Sequence, residues 1–516
     1  MRRYARTMAD ADVLVVGSGF GGAFAAARLT AAGVRVIVIE RGPWRDTVPV
    51  RSLGIEEPAP LPCGRRFASH MLRTLRSPWL PVGVTLNRKG LFELYVGKGL
   101  NVACTSSVGG GSHAYGGLNM RPAVDGYWNR HTDDICEKTM EPHYQSVFES
   151  MGSRAPRPGD QVPNTTAQRF GDSPVLQSGW DTVDVPMGFL FPRVAGSPQS
   201  LVTADGVTRH EADMRDGGFL GSTTGAKTTL DFAVLAAAMR KGLAVEALCE
   251  VTAIERLASG SPSRYRIEAI DHRVGRRRDF LADHVLLAAG TLNTLRLLLH
   301  SRDAGKLTGM PRLGYRFGGN GDFLGYWNLD DRTRDLTRGL PVHGLLRMKE
   351  PDPLGAGRAW PMIADAAAPS PEGMPLPTWL KHKMIHGSLI VGMGPDRQDG
   401  IVRCRHGRMR IEYDPTHSAI FGDLIDAYAM ISAATGKRIR HFQRPLTVHP
   451  TGGACLAQTL ESGVVDSNGE VFGLDGLFVA DAAALPGPVG GPPAMTVAAW
   501  AQHVADRFIE RSTRSA

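Results

Sequence analysis

The chain carries an apolar run near its start, Val13-Leu14-Val15-Val16, with no polar position inside it. A short run of this kind is what a parallel strand buried on both faces requires. Gly17-Ser18-Gly19-Phe20-Gly21-Gly22 follows, and Ala23 to Ala32 then supplies small residues with Leu29 at helical spacing. Val34 to Ile39 is a second apolar strand, ended by Glu40. The pattern predicts one complete β-α-β unit of about thirty residues. From about residue 45 to 90 it breaks into Pro-rich loop with basic residues.

Periodicity returns in blocks. The spacing predicts helices over 137–151 and 231–240, strands over 244–254 and 265–272, and an apolar strand over 285–289. That strand runs into Gly290-Thr291-Leu292-Asn293, with a helix continuing over 294–300, a second strand–glycine turn–helix. Strand-like pieces at 387–391 and 408–413 precede a helix over 419–435. The end of the chain reads as a strand over 477–480 and an amphipathic helix over 496–509. The nucleotide-binding pieces thus come from the two ends and the middle of the chain, with a second, discontinuous domain built over them from the remainder.

The first glycine turn has a defined chemistry. Gly17 allows a tight turn, Gly19 lets the backbone approach a pyrophosphate, and Gly22 lets the helix pack close to the strand. The helix N-terminus then offers free N–H groups and a positive dipole end to the phosphates. Glu40, 23 residues after Gly17, is placed to accept from a ribose 2′,3′-hydroxyl pair and disfavours a 2′-phosphate.

Composition narrows the classes. At 516 residues, 42% hydrophobic and 21% charged, the chain is globular and large enough for two or three domains. The net charge of +8 is modest for the length; no long Lys/Arg block appears, and Arg276-Arg277-Arg278 after Gly275 read as a solvated hairpin tip. A nucleic-acid partner is not expected. The six cysteines lie far apart with no CxxC pair, against a disulfide scaffold, a zinc ribbon or a redox dithiol. His382 and His386 have i, i+4 spacing but no recognisable third ligand, so no metal is expected. Neither a G-x-S-x-G elbow nor a P-loop is present. No apolar run is long enough to span a bilayer and no secretory segment is visible, so the expected location is cytoplasmic, with residues 1–7 an unstructured extension.

Further motifs recur in order along the chain: Val108-Gly109-Gly110-Gly111-Ser112-His113-Ala114-Tyr115-Gly116-Gly117, LLAAGTLNT at 286–294, FGGNGD at 317–322, LTVHPTGGA at 446–454 and LFVADAAALPGPVGGPPAMT at 477–496. With the first turn and Glu40, they resemble the glucose–methanol–choline (GMC) family of flavoprotein oxidoreductases, most of all its cholesterol-oxidase branch. The resemblance implies an α/β, Rossmann-like FAD-binding domain from 9–125, 221–314 and 441–516. A discontinuous substrate-binding domain on an antiparallel sheet would come from 126–220 and 315–440. It implies non-covalent FAD and oxidation of a CH–OH group by hydride transfer to flavin N5, with O2 or another acceptor.

Carried over by motif, Gly17, Gly19, Phe20, Gly22 and Glu40 would hold the ADP half of FAD, and Val251 would meet the adenine through its backbone. Gly109, Gly110, Ser112 and Gly116 would lie along the flavin, Gly290 would also bind the cofactor, and Asp481 would contact its ribityl–pyrophosphate region. Pro493, Ala494 and Met495 open a helix whose N–H groups would face the flavin N1–C2=O edge, where negative charge collects on reduction. His449 matches the active-site histidine. Asp365 is the nearest match to a substrate-side carboxylate, and Tyr115 stands where that branch has Asn, either donating to flavin or substrate or simply packing. His113 falls one residue before the position of covalent attachment in another branch. The second catalytic position falls on Pro492, which has no side-chain donor or acceptor. A sterol-like or secondary-metabolite alcohol is the expected substrate, with an amino-sugar primary alcohol and a non-redox or photochemical flavoprotein as rivals.

Overall fold

Strand β1 (Ala11–Val16) lies inside a seven-stranded sheet, which is why its apolar run carries no polar face. The computed structural model describes residues 9–80, 83–170, 180–194, 197–214, 219–348, 361–405 and 407–515; the expected extension at 1–7 lies outside them. β1 pairs in parallel with β2 (Val36–Ile39) and with the end of the strand Arg276–Leu287, Val15 standing between Val38 and Leu286. Ala244–Glu246 continues the parallel set beyond β2, and Leu477–Val479 joins it beside Val285–Leu287. The strand Arg276–Leu287 has two lives. Its first half is exposed and basic and pairs antiparallel with Tyr265–Asp271 across a turn at Gly275 (φ 68°). Its second half is the buried parallel strand.

Helix α1 (Phe20–Ala31) packs on this sheet and against the C-terminal helix Ala494–Ser515, to which it is tied by an Arg28–Asp506 ion pair. Helices also form over Glu137–Ser150, Thr291–Asp303 and Ile420–Thr435, at the expected places. The helix expected over 231–240 begins as a π turn, Asp231–Leu235, and only Ala236–Arg240 is α-helical. The stretch expected as loop contains the strands Leu72–Arg76 and Val84–Thr85, which form one sheet with Phe92–Tyr95, Asn101–Thr105 and, from far along the chain, Leu446–Thr447.

A second large sheet has the order Ile439–His441, Phe323–Trp327, Ser388–Met393, Met362–Ala366, Val342–Met348, Trp180–Val183, every pairing antiparallel. Its faces differ. Ala364 stands in register with Leu345 and Val391, and these join an apolar cluster with Leu118, Met187 and Phe189. Ile363 and Asp365 point the other way, as alternation demands, toward the helices Thr166–Phe170 and Ile420–Thr435. On that side Tyr428 Oη donates to Phe323 O (2.6 Å), and Thr166 Oγ1 donates to Asp365. No helix among the described residues is long and apolar enough to cross a membrane.

Candidate active site

Backbone approach shapes the first glycine turn. A Cβ on Gly17 (φ 99°) would lie 2.3 Å from the Ala288 carbonyl oxygen, and one on Gly22 would lie 1.9 Å from that of Gly17. At Gly19 the nearest atom to such a Cβ is Gly110 Cα at 3.9 Å, so that side of the turn is open. Phe20 opens α1 with its ring edge-on to Tyr115 at 5.5 Å. The buried Glu40 carboxylate is held on both oxygens, by Ser18 N (3.0 Å) and Oγ (2.8 Å) and by Gly42 N (2.7 Å). Cys249 N donates to Glu40 O at 2.9 Å, which brings the strand carrying Val251 alongside.

The second glycine cluster lies against the first. A Cβ on Gly110 (φ 50°) would come within 2.6 Å of Gly19 Cα, and Gly109 N donates to Ser18 Oγ at 3.2 Å. Ser112 Oγ donates to Gly109 O (2.7 Å) and accepts from Leu230 N (3.0 Å), closing the turn. At Gly116 a Cβ would meet Val342 Cγ2 at 2.6 Å, so this segment also touches the second sheet. Tyr115 packs: its ring lies between Phe20 and the Lys227 ammonium, its hydroxyl donates to Thr228 O at 2.8 Å, and burial raises its pKa above the ordinary phenol value. The His113 ring is fully buried; Nε2 donates to Val108 O (2.9 Å) and stands 3.8 Å from Asp231 Oδ2. Burial, only partly offset by Asp231, lowers its pKa. Asp231 opens the π turn with both oxygens buried and without a hydrogen-bond partner. Nothing in the sequence pattern marked it.

At the end of Leu477–Val479, Asp481 bridges two turns. Its Oδ2 accepts from Gly290 N (2.9 Å) and Thr294 Oγ1 (2.5 Å), and its Oδ1 accepts from Ala483 N (2.9 Å). Burial outweighs these bonds and pushes its pKa up to about 6. Gly290 (φ 82°) has open space where a Cβ would be. The C-terminal helix makes its first internal bond from Val497 N to Pro493 O at 2.9 Å. The amides of Ala494, Met495 and Thr496 are therefore the free donors of that helix end.

His449 has a partner that the sequence reading did not name. Its Nδ1 lies 3.0 Å from the carboxylate of Asp322, which is fully buried and also accepts from Thr447 Oγ1 (2.8 Å) and Val448 N (3.0 Å). Asp322 closes the FGGNGD stretch; the signal was present as a motif without a role. Asp365 is not brought to this group. It is buried on the opposite face of the second sheet, ion-paired with Arg169, bonded to Thr166 Oγ1 (2.8 Å) and 3.8 Å from His343 Nδ1. Burial alone would raise its pKa, but Arg169 and His343 hold it at about 2. The reason is period two: Asp365 shares its face with Ile363, while Ala364 and Ala366 face the glycine segments. His382 and His386 stand 4.7 Å apart between ring centroids, with His386 Nδ1 on the carbonyls of Asp331 and Arg334. Among the described residues no group of three or more metal-ligating side chains occurs.

Residues 10–58 match the family described as FAD binding domain, and residues 423–501 match that described as GMC oxidoreductase. Over 96% of its length the chain is 26% identical to a cholesterol oxidase of Mycobacterium tuberculosis (strain ATCC 25618 / H37Rv), covering 90% of that protein. A cholesterol oxidase of Acinetobacter baumannii is 24% identical over 96% of this chain and 93% of its own. In these segments and along its length the chain is similar to GMC oxidoreductases. The solved structure of pyridoxine 4-oxidase from Mesorbium loti has the same fold, with a TM-score of 0.64 at 19% identity over 97% of this chain and 99% of that one.

The protein is an FAD-dependent enzyme acting on CH–OH donors. Its residues fit that cofactor. The backbone is open at Gly19 and Gly290, and a helix end offers free amides.

Proposed function

We propose that this enzyme oxidises the hydroxyl of an apolar, sterol-like or long-chain alcohol, with O2 as the final acceptor giving hydrogen peroxide. FAD, when bound, supplies the acceptor for the hydride that leaves the carbinol carbon. His449 takes the hydroxyl proton. Its Nδ1 faces a buried carboxylate and so carries the hydrogen, which leaves the Nε2 lone pair free to accept. Asp322 fixes the ring and stabilises the imidazolium once the proton arrives. Segments 9–125, 221–314 and 441–516 would hold FAD non-covalently, and 126–220 with 315–440 would hold the substrate. The burial of His113 against Val108 O supports the non-covalent reading.

The apolar face of the second sheet carries the substrate class. Met120, Met214, Phe219 and Met362, each only partly buried, pack against its apolar cluster, and Met362 Cε comes within 3.3 Å of a Cβ placed on Gly491, just before Pro492. Methionine-rich walls adapt to bulky apolar ligands. A cationic amino sugar would need carboxylates there, and Asp365 is turned away and neutralised by Arg169.

Anaerobic absorbance scans against sterols, long-chain alcohols, sugars and aminoglycosides test the proposal. Bleaching of the flavin band by sterols or long-chain alcohols alone is expected, with recovery and peroxide on admitting air. Bleaching by aminoglycosides overturns the substrate class, and no bleaching with any alcohol overturns the reaction. His449→Ala is expected to keep FAD bound and to cut turnover by about 10²–10⁴-fold; unchanged turnover removes His449 from the mechanism.

A further inference from the structure

We propose that Asn320 is a positioning residue that sets where the free amides of the C-terminal helix stand relative to His449. The inference rests on the reading that those amides face the flavin.

The helix Ala494–Ser515 is entered through Pro486-Gly487-Pro488-Val489-Gly490-Gly491-Pro492-Pro493, a stretch without regular structure. Its prolines have no N–H to give and its glycines no side chain to pack, so the entry cannot hold its own position. Tyr127 Oη donates to Gly487 O (3.0 Å) and Ala123 N to Val489 O (2.9 Å) in its first part, and Asn320 holds the part next to the helix. The Asn320 amide pairs with the loop backbone on both sides, Nδ2 donating to Gly491 O at 2.8 Å and Oδ1 accepting from Gly490 N at 2.8 Å. The residue is fully buried and sits at φ 55°, a conformation that Asn tolerates better than most residues.

Two residues further on, Asp322 accepts from Thr447 and Val448 and orients His449. One turn therefore grips both the proton acceptor and the helix entrance. The turn itself is clamped from behind. Gly319 N donates to Asp396 Oδ2 at 2.7 Å, and a Cβ on Gly321 would lie 2.3 Å from Gly394 O. With the turn fixed, three consecutive residues, 320–322, set the separation between the base and the helix end. Preorganised donors act strongly only when held at the position where charge develops, and small displacements weaken them.

A purely structural role and a positioning role part at the reduction potential of bound FAD. Ala494→Pro removes one free amide of the helix end without breaking the helix, because proline is tolerated in the first turn. Asn320→Gly removes the amide pairing while suiting the positive φ. Measured by dye equilibration on FAD-loaded protein, both variants are expected to lower the ratio of reduced to oxidised FAD at a fixed potential by about tenfold, about 30 mV for two electrons. Asn320→Ala also removes the pairing and adds no charge, so a shift of the same sign is expected; it decides if Asn320→Gly does not fold. A wild-type potential in the Asn320 variants with a shifted Ala494→Pro overturns the inference and leaves the reading of the helix intact. Wild-type potentials in all of them overturn that reading as well. A shift in the Asn320 variants alone shows Asn320 acting on FAD by another route and also overturns the inference.

Discussion

Glu93 shows how much of this protein is settled side chain by side chain. It is fully buried, and no periodicity or motif singles it out. Arg41 Nη1 lies 2.7 Å from its Oε2, and Arg76 pairs with Oε1. Burial opposes ionisation here, but Arg41 and Arg76 overcome it and hold Glu93 at about 2. Arg41 follows Glu40 directly and also donates to Asn293 Oδ1 at 3.1 Å, so the network joins the end of β2 to the helix Thr291–Asp303. Glu93→Gln is expected to cost about 3–5 kcal/mol, because it strands buried guanidinium groups. Chemical denaturation measures it, and a loss below about 1 kcal/mol would show these cations to be solvated after all. Asp365 makes the complementary point: period two along its strand turns it away from the apolar cluster and onto Arg169.

The elements read most reliably were those whose pattern is local. The glycine turn, β1, α1 and β2 follow from about thirty residues of contiguous sequence. Their packing is tested by two neighbouring glycines. Gly22→Ala places a methyl 1.9 Å from Gly17 O and forces α1 off the strand, whereas at Gly19 the nearest protein atom is 3.9 Å away. Gly22→Ala is expected to lower both FAD affinity and apoprotein stability, by about tenfold and about 1–3 kcal/mol. Gly19→Ala should weaken FAD binding while leaving the apoprotein melting temperature unchanged. Melting scans and FAD titrations of the two apoproteins check this; equal destabilisation would show that the open side of the turn is not the ligand side. Elements with distant partners were illegible. Leu72–Arg76 reads as a basic loop, yet it pairs with Phe92–Tyr95 and belongs to a sheet that reaches Leu446. Its alternation is hidden because Arg73 is an inward residue, buried through its ion pair with Glu250 at 2.9 Å. The π turn at Asp231–Leu235 likewise left no mark on the helical spacing.

At the scale of the whole molecule, buried carboxyls without a cationic partner link stability to pH. Asp396 clamps the turn behind Asn320, accepting from Gly319 N and Tyr413 Oη (2.9 Å), and burial pushes its pKa up to about 6. A carboxyl whose pKa rises on folding binds its proton more tightly in the folded state. Its contribution is therefore complete below about pH 4 and is lost as the pH rises toward about 6. Asp396→Asn is expected to match wild type below that window and to be more stable above it by about 3 kcal/mol. Paired denaturation curves from pH 4 to 8 measure the difference. A gap that stays constant with pH would mean that Asp396 is ionised throughout.

Contiguous sequence suffices for the nucleotide-binding unit and for FAD, and it singles out His449 as a candidate. Each rests on contiguous motifs whose backbone demands, tight turns and close approaches, only certain residues can meet. Tertiary structure alone decided which side chains share a site. Asp322 reaches His449 across 127 positions of chain, Asn320 reaches Gly490 across 170, and Asp365 is sent to the far face by strand register. Motifs are written along the chain, but partners, faces and burial arise only when distant segments pack together.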